Sequence, residues 1–132
     1  FPSMKKKKWG RIINLTSTTA KEPAAGMVLS NVSRAGVLAF SKTLSREIET
    51  EGVTVNSILT GAVLTDRLKE LITKKNKNYK ERLKQISDSI PVKHIASTIE
   101  FAQLVLFLCS ENASYINGTA ITIDGGSSKT IF

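Results

Sequence analysis

The 132-residue chain contains one cysteine, Cys109, and one histidine, His94. A single thiol excludes an internal disulfide framework, and its position at the end of the apolar run FAQLVLFLC predicts a buried structural thiol, not a catalytic one. A lone histidine with no partner at metal-ligand spacing gives no metal site and belongs at a surface or interface. Aromatic residues make up 6% of the chain, and no stacking platform or zinc spacing accompanies its basic residues, so nucleic acid is not the expected partner. No run approaches the roughly 20 apolar residues of a membrane span, and the opening FPSMKKKKWG lacks the apolar centre of a secretory signal. A cytoplasmic protein is expected. No glycine triplet opens a helix after a strand, so the phosphate-cradling turn of dinucleotide-binding folds is also missing.

What remains is ordinary for a folded domain: 41% hydrophobic and 23% charged residues. The net charge of +8 is concentrated in Lys5 to Lys8 and in Arg67 to Lys93, where nine basic residues face Glu70, Glu81 and Asp88. Such runs are expected as solvated faces. The competing use is attraction to a polyanion, of which an acidic carrier protein or a phosphate-bearing acyl thioester is the more interesting.

Along the chain, FPSMKKKK reads as the last turn of a helix, its lysines favourable at the negative dipole end. A native chain would seldom start there. GRIINLTS, with Ile12, Ile13 and Leu15, is a buried parallel strand. From Ala25 to about Thr50, apolar positions at Val28, Leu29, Val32, Ala35, Gly36, Ala39, Phe40, Thr43, Leu44 and Ile48 predict a long amphipathic helix, with Gly52 as its stop. VTVNSILTGAV, from Val53 to Val63, is a second buried strand. The order strand, helix, strand predicts a right-handed crossover and a parallel sheet. Leu64 to Pro91 reads as one or two exposed helices, part of an insertion over 64–95 of the kind that forms lids. Ala96 to Asn112 is a helix with a Ser/Thr cap before Glu100, and GTAITIDGG is a last short strand closed by a turn.

Taken in order, GRIINLTS, SNVSRAG, VTVNSILTGAVLTDR and EFAQLVLFLCSENASYINGTAITIDGG resemble the second half of the short-chain dehydrogenase/reductase family, closest in flavour to 3-oxoacyl-carrier-protein reductases. The resemblance implies an α/β chain forming the C-terminal half of a doubly wound parallel-sheet Rossmann fold. Residues 1–132 would be a partial domain: a helix end, three strands, the long helix, the lid over 64–95, and the C-terminal helix and strand. The N-terminal dinucleotide-binding half would be missing, leaving a sheet edge that another chain or copy should cover.

It also implies site residues. The family's serine, its tyrosine thirteen positions later and its lysine four further on correspond to Ser17, Ser30 and Arg34. Ser17 either orients a carbonyl or caps the following turn. Ser30 is a poor acid or base, since a hydroxyl has no pKa near neutrality whereas a phenol starts at about 10. Arg34, one helical turn beyond Ser30, either contacts ribose or phosphate or lies exposed at an oligomer face. TGAVLTDR resembles the stretch that meets the nicotinamide, with Gly61 allowing close approach, Val63 offering backbone groups and Thr65 its hydroxyl; Thr60 stands where the family has proline. Asn56 reads as structural, and Tyr79 is a conjectural substitute acid in the lid.

The function implied is the C-terminal portion of an NAD- or NADP-dependent oxidoreductase that interconverts a carbonyl and an alcohol by hydride transfer, inactive as this piece alone. The alternative is a decayed dinucleotide-binding or oligomerisation module. A small-molecule carbonyl or acyl-carrier substrate and a homo-oligomer through the long helix are the expected partners.

Overall fold

Three parallel strands organise the chain: β1 (Gly10–Ser17), β2 (Val53–Thr60) and β3 (Ala120–Ile123), in the order β1-β2-β3. The computed structural model describes residues 1–48, 52–75 and 78–131. Helix α1 (Pro2–Lys7) leads into β1, and its C-cap Lys8 lies in the left-handed region after a last turn of three lysines. A lysine-rich last turn places positive charge on the negative end of the dipole.

β1 pairs with β2 from Gly10↔Val53 to Ser17↔Thr60, and β2 with β3 from Ser57↔Ala120 to Thr60↔Ile123. Residues Val53 to Leu59 are all buried because both faces of β2 are covered. One face meets α2 (Val28–Glu47); Asn14 of β1 donates to Ser41 Oγ at 2.8 Å, and Ser41 donates to the Val37 carbonyl at 2.7 Å. The other face meets α5 (Thr98–Cys109), where Ile58, Leu108 and Ala113 form the buried core with Ile13, Phe101, Leu104, Val105 and Ile121 against it. Fully burying a side chain of the size of Ile58 or Leu108 stabilises by about 1.5–3 kcal/mol.

The helix between β1 and β2 corrects one expectation. Its sheet-facing side carries the buried Ser41 and Ser45, with Val37, Leu38 and Leu44 half-buried beside them. Most of the apolar stripe read from the sequence lies on the opposite side: Val28, Leu29, Val32 and Phe40 are exposed, as are Ala35, Gly36, Ala39 and Thr43. Small polar residues let the helix approach the sheet closely and satisfy their hydroxyls locally. The larger apolar residues are left free of intrachain burial. The helix is also shorter than Ala25 to Thr50, and Thr50 lies outside the described residues.

The segment after β2 forms two helices, α3 (Asp66–Lys75) and α4 (Tyr79–Ser89). α5 begins with a complete capping box: Ser97 Oγ accepts the Glu100 N–H and the Glu100 carboxylate accepts the Ser97 N–H. Cys109, its last residue, is exposed. That overturns the expected buried thiol, because the helix turns Leu108 and not Cys109 onto the sheet.

Asn56 is structural as expected. It is buried, donates to the Ile116 carbonyl at 2.8 Å and accepts the Thr119 N–H at 3.2 Å, so one amide serves two backbone groups before β3. Arg11 was not singled out from the sequence. Its almost fully buried side chain donates to the carbonyls of Gly10, Gly52 and Ser110 and lies over the Trp9 ring at 5.2 Å, pinning β1, the start of β2 and the end of α5 together. Arginine is suited to this because its planar fork presents several donors at once.

Candidate functional site

A helix joining two parallel strands runs back against them, so the first turns of α2 lie toward the carboxyl ends of β1 and β2, where parallel α/β sheets bind ligands. Ser17 and Thr60 are register partners at those ends, and Gly61 to Thr65 leave from there. At 3.6 residues per turn, Ser30, Arg34 and Ser41 fall within roughly 40° of one another around the helix axis. Ser41 packs on the sheet, so the same stripe carries Ser30 and Arg34 outward to the strand ends. Topology therefore brings Ser17, Ser30, Arg34 and the Gly61–Thr65 turn to one end of the sheet.

Ser17 caps the 3-10 turn Thr18–Ala20, its Oγ accepting the Thr19 N–H at 3.3 Å. This is the capping role weighed from the sequence, and it does not consume the hydroxyl. One lone pair is used; the O–H remains free to donate. The turn packs against α2. Asn31, beside Ser30, donates to the Ala24 carbonyl at 2.9 Å and so ties the loop Ala24 to Met27 to the first turn of the helix. Ser30 is half-buried and its carbonyl accepts from Ser33 Oγ at 3.0 Å. Arg34 is exposed, and its side chain makes no hydrogen bond or ion pair among the described residues. Among the described residues no carboxylate or imidazole is bonded to Ser30 that could make it a nucleophile.

Gly61 donates its N–H to the Ile123 carbonyl at 2.9 Å, and a Cβ built on it would stand 2.6 Å from Asp124 Cβ and 2.7 Å from Asp124 Cα. The close approach the structure shows at this glycine is to Asp124 at the end of β3, not to a cofactor. Beyond it, Ala96 pairs with the turn in a parallel bridge: its N–H goes to the Ala62 carbonyl at 3.2 Å and its carbonyl takes the Leu64 N–H at 2.8 Å. In this alternation the Val63 N–H is left without a hydrogen-bond partner among the described residues. Thr65 Oγ1 accepts the Leu68 N–H at 3.3 Å, starting α3, and its O–H stays available.

Asp124 closes the other side of this end. Burial works to raise its pKa, but hydrogen bonds from Ser128, Gly126 and Ser127 outweigh it and hold the carboxyl below its ordinary value. The Asp-Gly-Gly signal in the sequence located this turn without disclosing the carboxylate's role in it. Tyr79, the first residue of α4, is half-buried and its hydroxyl makes no hydrogen bond among the described residues. The described residues contain no group of three or more His, Cys, Asp or Glu able to hold a metal ion, and no helix among them is long and apolar enough to cross a membrane.

A parallel α/β sheet with a serine at the end of one strand, a long crossover helix and a glycine turn after the next strand is the arrangement of one half of a doubly wound Rossmann-type fold. Residues 1–128 match the family described as enoyl-(acyl carrier protein) reductase, and the chain belongs to the short-chain dehydrogenase/reductase family. It is 39% identical to the NADPH-dependent reductase BacG of Bacillus subtilis, covering 97% of this chain and 51% of that one. It is 37% identical to the 3-oxoacyl-[acyl-carrier-protein] reductase FabG of Aquifex aeolicus, covering 93% and 47%. Among solved structures, L-sorbose reductase from Gluconobacter frateurii, complexed with NADPH and L-sorbose, superposes with a TM-score of 0.88 at 36% identity, covering 98% and 51%. The chain spans about half the length of the curated relatives it matches. Its fold is the C-terminal half of their doubly wound sheet.

Proposed function

We propose that this chain is the C-terminal portion of an NAD(P)-dependent oxidoreductase that interconverts a carbonyl and an alcohol by hydride transfer, and that residues 1–132 alone do not turn over. The observation that carries this is the Gly61–Thr65 turn, with its unpaired Val63 N–H and available Thr65 hydroxyl at the strand ends. A carboxamide offers one acceptor oxygen and an N–H2 donor, so the Val63 N–H can donate to the first and the Thr65 hydroxyl oxygen can accept from the second; the residues present fit a nicotinamide. Gly61, Val63 and Thr65 would hold it, and Arg34 would contact ribose or phosphate. The bound dinucleotide supplies the hydride.

The chain's own residues do the rest. The Ser17 O–H donates to the substrate carbonyl and orients it. Ser30 passes on a proton only by relay from water, because its hydroxyl is far too weak an acid at neutral pH. The Arg34 charge stabilises negative charge developing in the crevice. Proton delivery is consequently the slow part. The pyrophosphate turn comes from an N-terminal dinucleotide-binding half, which is why the piece alone is inactive. The relatives' names favour a small carbonyl compound or an acyl-carrier substrate, and the basic helices α3 and α4 suit the latter. Nucleic acid is not the partner we favour, and the cytoplasm is the compartment we infer.

Gly61→Ala tests this reading in a protein completed with the N-terminal half of BacG. The added methyl cannot fit against Asp124 and displaces Val63 and Thr65 together. NADPH affinity, followed by nicotinamide fluorescence, is expected to fall by about ten- to a hundredfold with the fold retained. Unchanged affinity would remove the turn from the cofactor site.

We also propose that α2 forms a homo-oligomer interface. Val28, Leu29, Val32 and Phe40 are between 58% and 87% exposed on the side away from the sheet, with Ala35, Gly36 and Ala39 among them. A contiguous apolar stripe of this size is an association surface, and the small residues permit a second helix to approach closely. A second reading, a decayed dinucleotide-binding or assembly module, is favoured by the same Ser30 and Arg34 that weaken proton transfer.

A further inference from the structure

His94, the chain's single histidine, sits between two acceptors. Its Nε2 lies 2.9 Å from Glu100 Oε1 and its Nδ1 lies 3.2 Å from the Val92 carbonyl oxygen. A carbonyl and a carboxylate only accept, whereas a neutral imidazole has a single N–H. A neutral ring therefore turns a lone pair toward one of them. An imidazolium donates to both.

The two acceptors belong to different parts of the fold. Glu100 is fixed in the first turn of α5, where its second oxygen accepts the Ser97 N–H at 2.7 Å. Val92 lies on the segment Ile90 to Ala96, through which the chain returns from α3 and α4. That return segment has two backbone attachments of its own, Val92 N–H to the Gly125 carbonyl at 3.3 Å and Ala96 to Ala62 and Leu64. Lys93, between them, takes a positive φ of 62°, a conformation that a lysine adopts only when its surroundings hold it. We propose that His94 is a proton-operated latch that fastens the Ile90–Ala96 segment to the first turn of α5, closed while the ring carries two protons and released when it loses one.

The charged groups around the ring come from three elements. Glu100 faces it from α5. Asp124, from the turn after β3, lines the same cavity of about 210 Å³ together with Ala62, Ile90 and Val92. Lys93, on the segment itself, directs its ammonium to the Asp88 carbonyl at 2.8 Å. The Glu100 hydrogen bond first, then the Val92 carbonyl and the Glu100 charge, raise the His94 pKa above 6.5. Glu100 is held down to about 2, by the Ser97 N–H and hydroxyl and then by His94. Both carboxylates are therefore anionic wherever His94 titrates.

The direction of the pH effect follows. A histidine whose folded pKa is raised contributes its full stabilisation below its unfolded value and loses it as pH rises through the folded one. Glu100 behaves oppositely: its contribution is present above 4.5 and is lost as pH falls through about 2. The latch is closed below the folded His94 pKa, which lies above 6.5, and opens as pH rises through it. Because Ala96 is hydrogen-bonded to Ala62 and Leu64, release of the segment is transmitted to the Gly61–Thr65 turn.

With one histidine, the imidazole resonances of the full chain belong to His94 and can be followed by NMR through a pH titration. Amide exchange at Val92 and Ala96 is measured over the same range and corrected for its intrinsic pH dependence. The expected result is a His94 pKa above 6.5 and a loss of protection as pH rises through it, by the factor set by the measured shift, about tenfold per pKa unit. His94→Arg, which keeps both donors at every pH, retains protection above that point. His94→Gln shows the open level of protection throughout. A His94 pKa at or below 6.5, protection that does not change through the titration, or wild-type protection in His94→Gln each overturns the latch. The wild-type titration alone decides the matter if a variant does not fold.

Discussion

Replacing Ser30 with tyrosine and Arg34 with lysine together raises kcat for NADPH-dependent carbonyl reduction by about 10²–10⁴-fold in the completed protein, the usual contribution of a positioned general acid. The α2 geometry makes this expectation specific. Ser30 and Arg34 lie on the stripe that leaves the sheet at the strand ends, four residues apart, so the new side chains project into the same crevice. A phenol there starts from a pKa of about 10, and an adjacent ammonium lowers it toward the working pH. The single Ser30→Tyr gains part of the effect, since Arg34 already supplies a positive charge, while Arg34→Lys alone gains none. NADPH affinity changes little, because the Gly61–Thr65 turn is untouched. Steady-state kinetics with a small ketone, together with nicotinamide fluorescence, separate the two quantities. Activity in the unaltered protein equal to that of the double variant would show that another group supplies the proton and would remove the decayed-site alternative.

If α2 forms the proposed interface, Val32→Glu combined with Phe40→Glu is expected to convert the oligomer to smaller species, with the dissociation constant rising by at least about a hundredfold. Both residues lie on the outward side of α2 at 67% and 58% exposure, so the substitutions disturb little of the packing within the chain. In an association, the same two carboxylates would be buried against an apolar surface or against their own symmetry copies, and either is costly. Sedimentation at several concentrations reads the result directly. An unchanged oligomer would place the interface elsewhere, with the exposed Ile99 and Leu106 of α5 as the next surface to examine. A chain that is monomeric before substitution would contradict the proposal outright.

The parts of the fold legible in the sequence are those governed by short-range rules. Val53 to Leu59 is a continuous β-rich apolar run because both of its faces are buried, and Ser97 with Glu100 announces the start of α5 because a capping box needs that spacing. Asn56 was recognisable as structural because an amide inside such a strand must find partners. What could not be read was orientation. The apolar stripe of α2 has the period of a core-facing helix, yet the sheet takes Ser41 and Ser45, since close packing favours small side chains and periodicity does not say which neighbour a face meets. Cys109 was misplaced for the same reason, one residue from the buried Leu108 on a helix apolar over most of its circumference.

At the candidate site, the family resemblance proposed Ser17, Ser30, Arg34 and the Gly61–Thr65 turn, and the topology puts Ser17 and that turn at the carboxyl ends of paired strands with α2 starting from the same end. The His94–Glu100 pair was not anticipated. Six residues separate the two, and only the return of the chain from α4 into the cap of α5 places the ring between Val92 and the carboxylate. Its one signal in the sequence was Glu100 three residues after Ser97, which fixes the carboxylate but not what it binds.

The most direct measurement is NADPH oxidation with a carbonyl substrate by the purified 132-residue chain, alone and joined in one polypeptide to the N-terminal half of BacG. Half of a dinucleotide site should give no turnover alone, and slow, saturable turnover once the pyrophosphate turn is supplied. Turnover by the chain alone, free of contaminating enzyme, would contradict it.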